Sequence, residues 1–264
     1  MLLDTIIWDV DPAIFTIGSF SLRWYGLLFS TGFLIGYLVT QRVFRQEKAD
    51  ESLLDILLLL LVAGTLIGAR LGHVFFYQWG YYSQHPLEIL MIWKGGLASH
   101  GGAVGLIVIF WIYARYFSKS PMLWTTDRLV MSIMLTAGLI RTGNLMNSEI
   151  IGLPTDVPWA FVFTVRDMIP RHPAQLYEAL IYFAIAALLF FLYWKTNAKK
   201  YEGFLTGLYL SLTFTARFFI EFLKENQVQF EDSMQLNMGQ WLSIPLVILG
   251  GYLMWRSRSH VDLG

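Results

Sequence analysis

Two arginines, a histidine and several amides and carboxylates stand beside stretches too apolar to give them water. The densest group is Arg141-Thr142-Gly143-Asn144-Leu145-Met146-Asn147-Ser148-Glu149-Ile150-Ile151-Gly152. A guanidinium stays charged when desolvated and grips a phosphate with two parallel hydrogen bonds. Asn144 and Asn147 offer donors and acceptors beside it. Arg217 and Glu221, four residues apart on one helical face, either neutralise each other or leave the arginine to an incoming anion. His100 stands at a helix start before Gly101 and Gly102, where an imidazole could take a proton near neutral pH and glycines allow close approach. The bland reading is a histidine hydrogen-bonded at an interface. Tyr25, in Arg23-Trp24-Tyr25-Gly26, fits an interfacial aromatic belt. Glu178, in Arg171-His172-Pro173-Ala174-Gln175-Leu176-Tyr177-Glu178, reads as an acidic residue favoured near a helix start. Arg70 and His73 read as a structural polar pair, between Gly68 and Gly72 of a small-residue packing face.

The elements that must carry these residues are membrane helices. Of 264 residues 56% are hydrophobic and 14% charged, too few polar groups to cover a water-exposed surface. The hydropathy pattern predicts an all-α polytopic membrane protein of about seven transmembrane helices, over 19–40, 52–77, 101–117, 127–145, 173–194, 203–223 and 238–255. The fourth, interrupted by Thr136, Gly138, Arg141 and Thr142, is expected to be short and broken or partly embedded. Ser52 and Asp55 suggest a capping box at the start of the second. The acidic first residues Asp4, Asp9 and Asp11 argue against a cleavable leader. Basic residues gather in alternate loops: Arg42, Arg45 and Lys48; Arg115, Lys119 and Arg128; Lys195, Lys199 and Lys200; then Arg256 and Arg258. The positive-inside rule then puts the N-terminus outside and the C-terminus in the cytoplasm. Residues 1–264 form one membrane-embedded domain on this reading. The segment 147–171 is a small outward-facing head subdomain, with a short strand or interfacial patch expected within 159–165.

The formal net charge is zero, which gives no electrostatic case for nucleic acid. The absence of cysteine excludes disulfides, thiolate metal sites and a cysteine nucleophile. Any thiol chemistry must use a sulfur brought by a substrate. Buried Arg and Glu could also line a transporter path, but the paired interrupted helices of many transporters are not seen. A lipid-binding scaffold would use the arginines and leave His100 without a task.

Taken together the segments resemble the prolipoprotein diacylglyceryl transferase family. Arg-Trp-Tyr-Gly, Ser-His-Gly-Gly, Arg141 to Gly152, His-Pro-Ala-Gln-Leu-Tyr-Glu, Arg-Phe-Phe-Ile-Glu and Met-Gly-Gln occur in the family's order across nearly the whole chain. The resemblance implies a seven-helix body with an outer head. It implies transfer of the diacylglyceryl group of phosphatidylglycerol to the lipobox cysteine of a prolipoprotein, within the lipid bilayer of the bacterial inner membrane. The products are a thioether and sn-glycerol 1-phosphate, and neither cofactor nor metal is needed. Carried over by motif, His100 is the base, Tyr25 a relay or headgroup ligand, and Arg141 and Arg217 neutralise the leaving phosphate. Glu149 and Glu221 orient the arginines, while Asn144, Asn147 and Gly152 bind substrate. Two departures stand out: Ser148 sits where the family often has Gly, and Lys224 where it often has Arg, a better bidentate phosphate ligand.

Overall fold

The computed structural model describes residues 5–18, 20–92, 95–96, 98–225 and 234–259. The chain is mainly helical and divides into two compact units, residues 1–39 with 126–264, and residues 40–125. In chain order it forms β1 (Ile6–Trp8), β2 (Ala13–Ile17), β3 (Phe20–Arg23), α1 (Trp24–Gln46), α2 (Ser52–Tyr77), α3 (Trp79–Tyr82), α4 (Ser99–Ile112) and α5 (Met122–Met146). There follow β4 (Phe161–Phe163), β5 (Pro170–Arg171), α6 (Ala174–Lys195), α7 (Phe204–Ile220) and α8 (Met238–Ser259). Among the described residues six helices are long and apolar enough to cross a membrane: α1, α2, α4 with its continuation to Ser118, α5, α6 and α8. Their outward faces carry Leu59, Phe76, Ile107, Trp111, Ile248 and Trp255, all more than half exposed. So much contiguous apolar surface is stable against lipid rather than water. The chain is a multi-pass membrane protein.

The helices differ from expectation at three places. The first starts at Trp24 rather than 19, because Ala13–Ile17 and Phe20–Arg23 pair as an antiparallel hairpin around Gly18, whose φ is +60°. Residue 19 itself lies outside the described residues. The fourth is neither short nor broken: α5 runs 25 residues without interruption. Its hydroxyls find partners within the helix and on α1: Thr142 Oγ1 donates to the Gly138 carbonyl and Thr136 Oγ1 to that of Gly32. The cap of the second helix is Glu51, one residue before the expected Ser52. Glu51 caps α2 without a side-chain bond, and the Asp50 carboxylate instead accepts the Ser52 N–H at 2.9 Å. That bond holds the Asp50 carboxyl below its ordinary pKa.

In the unit of residues 40–125, α2 and α4 pack through glycine. A Cβ on Gly68 would lie 2.4 Å from the Gly101 carbonyl oxygen, and one on Gly105 2.2 Å from that of Gly64. Backbones this close exclude any side chain, the small-residue packing of membrane helices. Gly101, beside His100, therefore serves helix contact. Arg70 does not pair with His73. It is 3% exposed and donates to the carbonyls of Glu88, Ile89, Met91, Gly95 and Gly96, with Tyr82 stacked against it. Five donors meeting five carbonyls pin the loop after α3.

In the other unit, β1 pairs in parallel with β4, and β4 antiparallel with β5. The strand expected within 159–165 is thus present at Phe161–Phe163. Its rings pack with Leu145, Ile151 and Trp8, whose indole donates to the Leu145 carbonyl. This cluster anchors the sheet on the end of α5 that carries the polar residues.

Candidate functional site

The site begins with how α5 ends. The N–H of Ser148 donates to the Leu145 carbonyl and that of Glu149 to the Asn144 carbonyl, the two bonds of a Schellman cap. Ser148 occupies the left-handed position of that cap at φ +51°. Glycine takes this conformation without a Cβ clash, which explains the family's preference for Gly there. Ile150 is also left-handed at φ +56°, costly for a β-branched residue. The strained turn is fixed from outside. Gln175, fully buried on α6, donates to the Glu149 carbonyl, and Arg166 donates to that of Ser148. The turn sends the Glu149 side chain back along α5, where its carboxylate accepts from Asn144 at 3.4 Å and Asn147 at 3.2 Å.

From there a line of alternating charge crosses three segments. Arg141 Nε lies 3.0 Å from Glu178 Oε2, close enough for an ion pair but not aligned as a hydrogen bond. Lys224 Nζ donates to Glu178 Oε1 at 3.2 Å and to Glu221 Oε1 at 3.0 Å. Glu221 meets Arg217 at 3.3 Å. The three inner side chains are 0–9% exposed, whereas the side chains of the terminal Arg141 and Arg217 keep 16% and 33%. The line is locked in its middle and accessible at its two ends. Arg141 also donates to Asn144 at 3.4 Å and toward the buried Tyr182 hydroxyl. The structure thus joins Arg141, Asn144, Asn147, Glu149, Arg217 and Glu221 in one network.

Three expectations change. Glu178 is more than an acidic residue favoured near a helix start: it is wholly buried and is the carboxylate that holds Arg141, where Glu149 was expected. Glu149 reaches Arg141 only through Asn144. Lys224 is buried between two carboxylates, where a single ammonium can serve both. The signal for Glu178 was its position five residues into an apolar helix on the side shared with Gln175 and Tyr182.

Tyr25, in the first turn of α1, lies against the backbone of α5. A Cβ on Gly143 would come within 3.0 Å of its ring, so the glycine lets the tyrosine sit between Arg141 and Asn144 in the helix sequence. Gly152 has a packing role. Its N–H donates to the His172 carbonyl, and an added Cβ would lie 2.4 Å from that oxygen and 2.7 Å from the Leu223 oxygen. Leu153 donates to Leu223, and Glu225 to Ile151, so the strand through Gly152 carries Lys224 into place. Gly239 leaves room for Glu221, whose Oε1 would be 2.7 Å from a Cβ there. Asn237 and Gln240 form a reciprocal capping box at the start of α8, and the Asn237 amide also donates to Glu221. The Met-Gly-Gln segment therefore supports the carboxylate.

Arg171, not singled out among the expected site residues, stitches the sheet to this region. It donates to Asp167 through Nε and Nη2, to Glu225, and to the Gly152 carbonyl. These bonds hold the Asp167 carboxyl below its ordinary value. His100 is the second residue of α4 in the unit of residues 40–125, and its side chain lies outside the described residues.

Residues 12–256 match the family model described as prolipoprotein diacylglyceryl transferase. A relative from Chloroherpeton thalassium is 47% identical over 98% of this chain and 96% of its own length. One from Tolumonas auensis is 48% identical over 97% and 98%, and one from Bacteroides fragilis 48% over 96% and 96%. Each carries the name phosphatidylglycerol–prolipoprotein diacylglyceryl transferase.

Proposed function

Because the chain belongs to the prolipoprotein diacylglyceryl transferase family, we propose that it transfers the diacylglyceryl group of phosphatidylglycerol to a prolipoprotein, the first step of lipoprotein maturation in the bacterial inner membrane. The acceptor is the thiol of the lipobox cysteine. Its sulfur attacks the glycerol carbon that bears the phosphate ester. A carbon–sulfur bond forms, the carbon–oxygen bond breaks, and sn-glycerol 1-phosphate leaves with the electron pair. The thiol proton passes to a base.

The observation that carries this reading is the pair of partly exposed arginine side chains at the ends of an otherwise buried ion-pair line. Such a line fixes Arg141 and Arg217 before substrate arrives, so little reorganisation is needed as charge builds on the leaving phosphate. Removing one preorganised donor from a developing oxyanion costs about 2.7–4 kcal/mol, the scale expected for each arginine here. Asn144 and Asn147 bind glycerol hydroxyls or phosphate oxygens, with Glu149 setting their orientation. Glu221 orients Arg217. Tyr25 is a headgroup ligand or proton relay. His100 takes the thiol proton, and this role rests on the family motif. A free thiol has a pKa of about 8.5, so near neutral pH a base must help form the thiolate. Gly152 contributes by carrying Lys224 rather than by touching substrate.

The segment 147–171 with β1 makes an outward-facing head, and α7 with the turn Glu221–Leu223 makes a seventh crossing. Those 20 residues reach about 30 Å at ~1.5 Å per residue. The N-terminus is then outside and the C-terminus cytoplasmic.

Purified protein incubated with labelled phosphatidylglycerol and a lipobox peptide should raise the peptide mass by one diacylglyceryl unit. Arg141→Ala or Arg217→Ala should lower turnover at least about 100-fold with the protein still inserted. Near-normal turnover by both variants would remove the arginines from the chemistry.

A further inference from the structure

The helices that hold the ion-pair line at one end build a second polar site at the other. α6 runs from Gln175 and Glu178 to Lys195, α7 from Phe204 to Arg217, and α8 from Gly239 to Arg258. With 17 to 22 residues each, these helices separate their two ends by about 25–33 Å, the thickness of a bilayer's hydrocarbon. At the far end is a cavity of about 500 Å³, whose lining includes Leu192, Thr196, Asn197, Tyr201, Phe204 and Arg258. The Arg258 guanidinium stands 5.9 Å from the Phe204 ring centroid, and Lys199 Nζ 5.2 Å from that of Tyr193. Over 195–204 and 255–259 the chain has five cations (Lys195, Lys199, Lys200, Arg256, Arg258) and one carboxylate, Glu202. Of these cations Arg258 lines the cavity, Leu192 and Phe204 give it apolar lining, and the buried Asp127 carboxylate at this end is taken up by the Gly203 N–H and by Thr206. Nothing in the proposed transfer reaction uses this cavity.

We propose that this cavity binds the phosphodiester headgroup of an anionic phospholipid in the leaflet opposite the transfer site. Charge selects the occupant: a basic cavity between membrane helices at a headgroup level attracts anionic lipid over zwitterionic lipid. A guanidinium offers paired donors to phosphate oxygens, and Thr196 and Asn197 add short polar groups beside it. The apolar lining takes the glycerol and the first methylenes of the acyl chains. The site is separate from the ion-pair line and holds lipid without consuming it.

The test is native mass spectrometry of the full chain in detergent, titrated with phosphatidylglycerol or phosphatidylcholine. Arg258→Gln should weaken one phosphatidylglycerol adduct about fivefold, and Arg258→Gln with Lys199→Gln about 25-fold, with phosphatidylcholine binding unchanged. Arg258→Lys, which keeps the charge and loses the paired donors, should bind more weakly than wild type and more tightly than Arg258→Gln. The same Arg258-dependent adduct should persist in the Arg141→Ala/Arg217→Ala chain, which separates this site from the transfer site. Equal phosphatidylglycerol affinity in wild type and the double variant would overturn the proposal. So would displacement of the lipid by equimolar inorganic phosphate, which would mark a plain anion site.

Discussion

Glu178 offers the sharpest test of the ion-pair line. Its side chain is completely buried and touches Arg141 at 3.0 Å and Lys224 at 3.2 Å. Glu178→Gln keeps the volume and removes the charge. Lys224, itself 2% exposed, is then left with Glu221 alone, and Arg141 loses its carboxylate. Removing one member of a buried ion pair costs about 3–5 kcal/mol, because the remaining charge stays desolvated. At roughly 2–4 °C per kcal/mol for a domain of this size, Tm should fall by about 6–20 °C. Thermal unfolding in a single detergent measures this. Glu178→Gln with Lys224→Met removes the stranded ammonium as well and should recover part of the loss, since Arg141 still lacks its carboxylate and Glu221 keeps Arg217. Transfer should not recover. Arg141 has lost the group that aims it, and a displacement of about 1 Å costs roughly 100-fold in rate. A Glu178→Gln protein that melts within about 2 °C of wild type would refute the assignment of Glu178 as the buried anchor.

Three further outcomes follow from local geometry. Gly152→Ala forces a Cβ to 2.4 Å and 2.7 Å from two carbonyl oxygens, so stability should drop by about 3 kcal/mol in thermal unfolding; unchanged stability with a raised KM would instead make Gly152 a substrate contact. Ser148→Gly should stabilise by about 0.5–1 kcal/mol, because it relieves a left-handed residue and deletes a buried hydroxyl without a hydrogen-bond partner among the described residues; a lower Tm would contradict this. Hydrogen bonds from Arg171 hold the Asp167 carboxyl below its ordinary 3.8, so its contribution is present above about pH 4 and is lost as pH falls through the lowered value. The Tm gap between wild type and Asp167→Asn should therefore narrow from pH 5 toward pH 2, modestly because the group is partly exposed and screened; a constant gap would exclude the pair as its source.

The sequence by itself determined the membrane class, because about 20 consecutive apolar residues leave few alternatives to a span. It identified the arginines and amides through their cost beside lipid, and the strand near 161 through its run of aromatic and β-branched residues. It placed Gly68 and Gly72 on a packing face because small residues four apart share one side of a helix. Partner choice belongs to the tertiary structure. Glu178 and Lys224 lie 46 residues apart, and no spacing rule links them. Only the juxtaposition of α6 with the turn after α7 makes one carboxylate serve two cations. Arg70 likewise finds five carbonyls 18 to 26 residues away, so its loop-pinning role could not be read locally. The unbroken α5 shows the same division: polar residues in an apolar run mark cost, but whether the helix breaks depends on the bonds waiting for them in the fold.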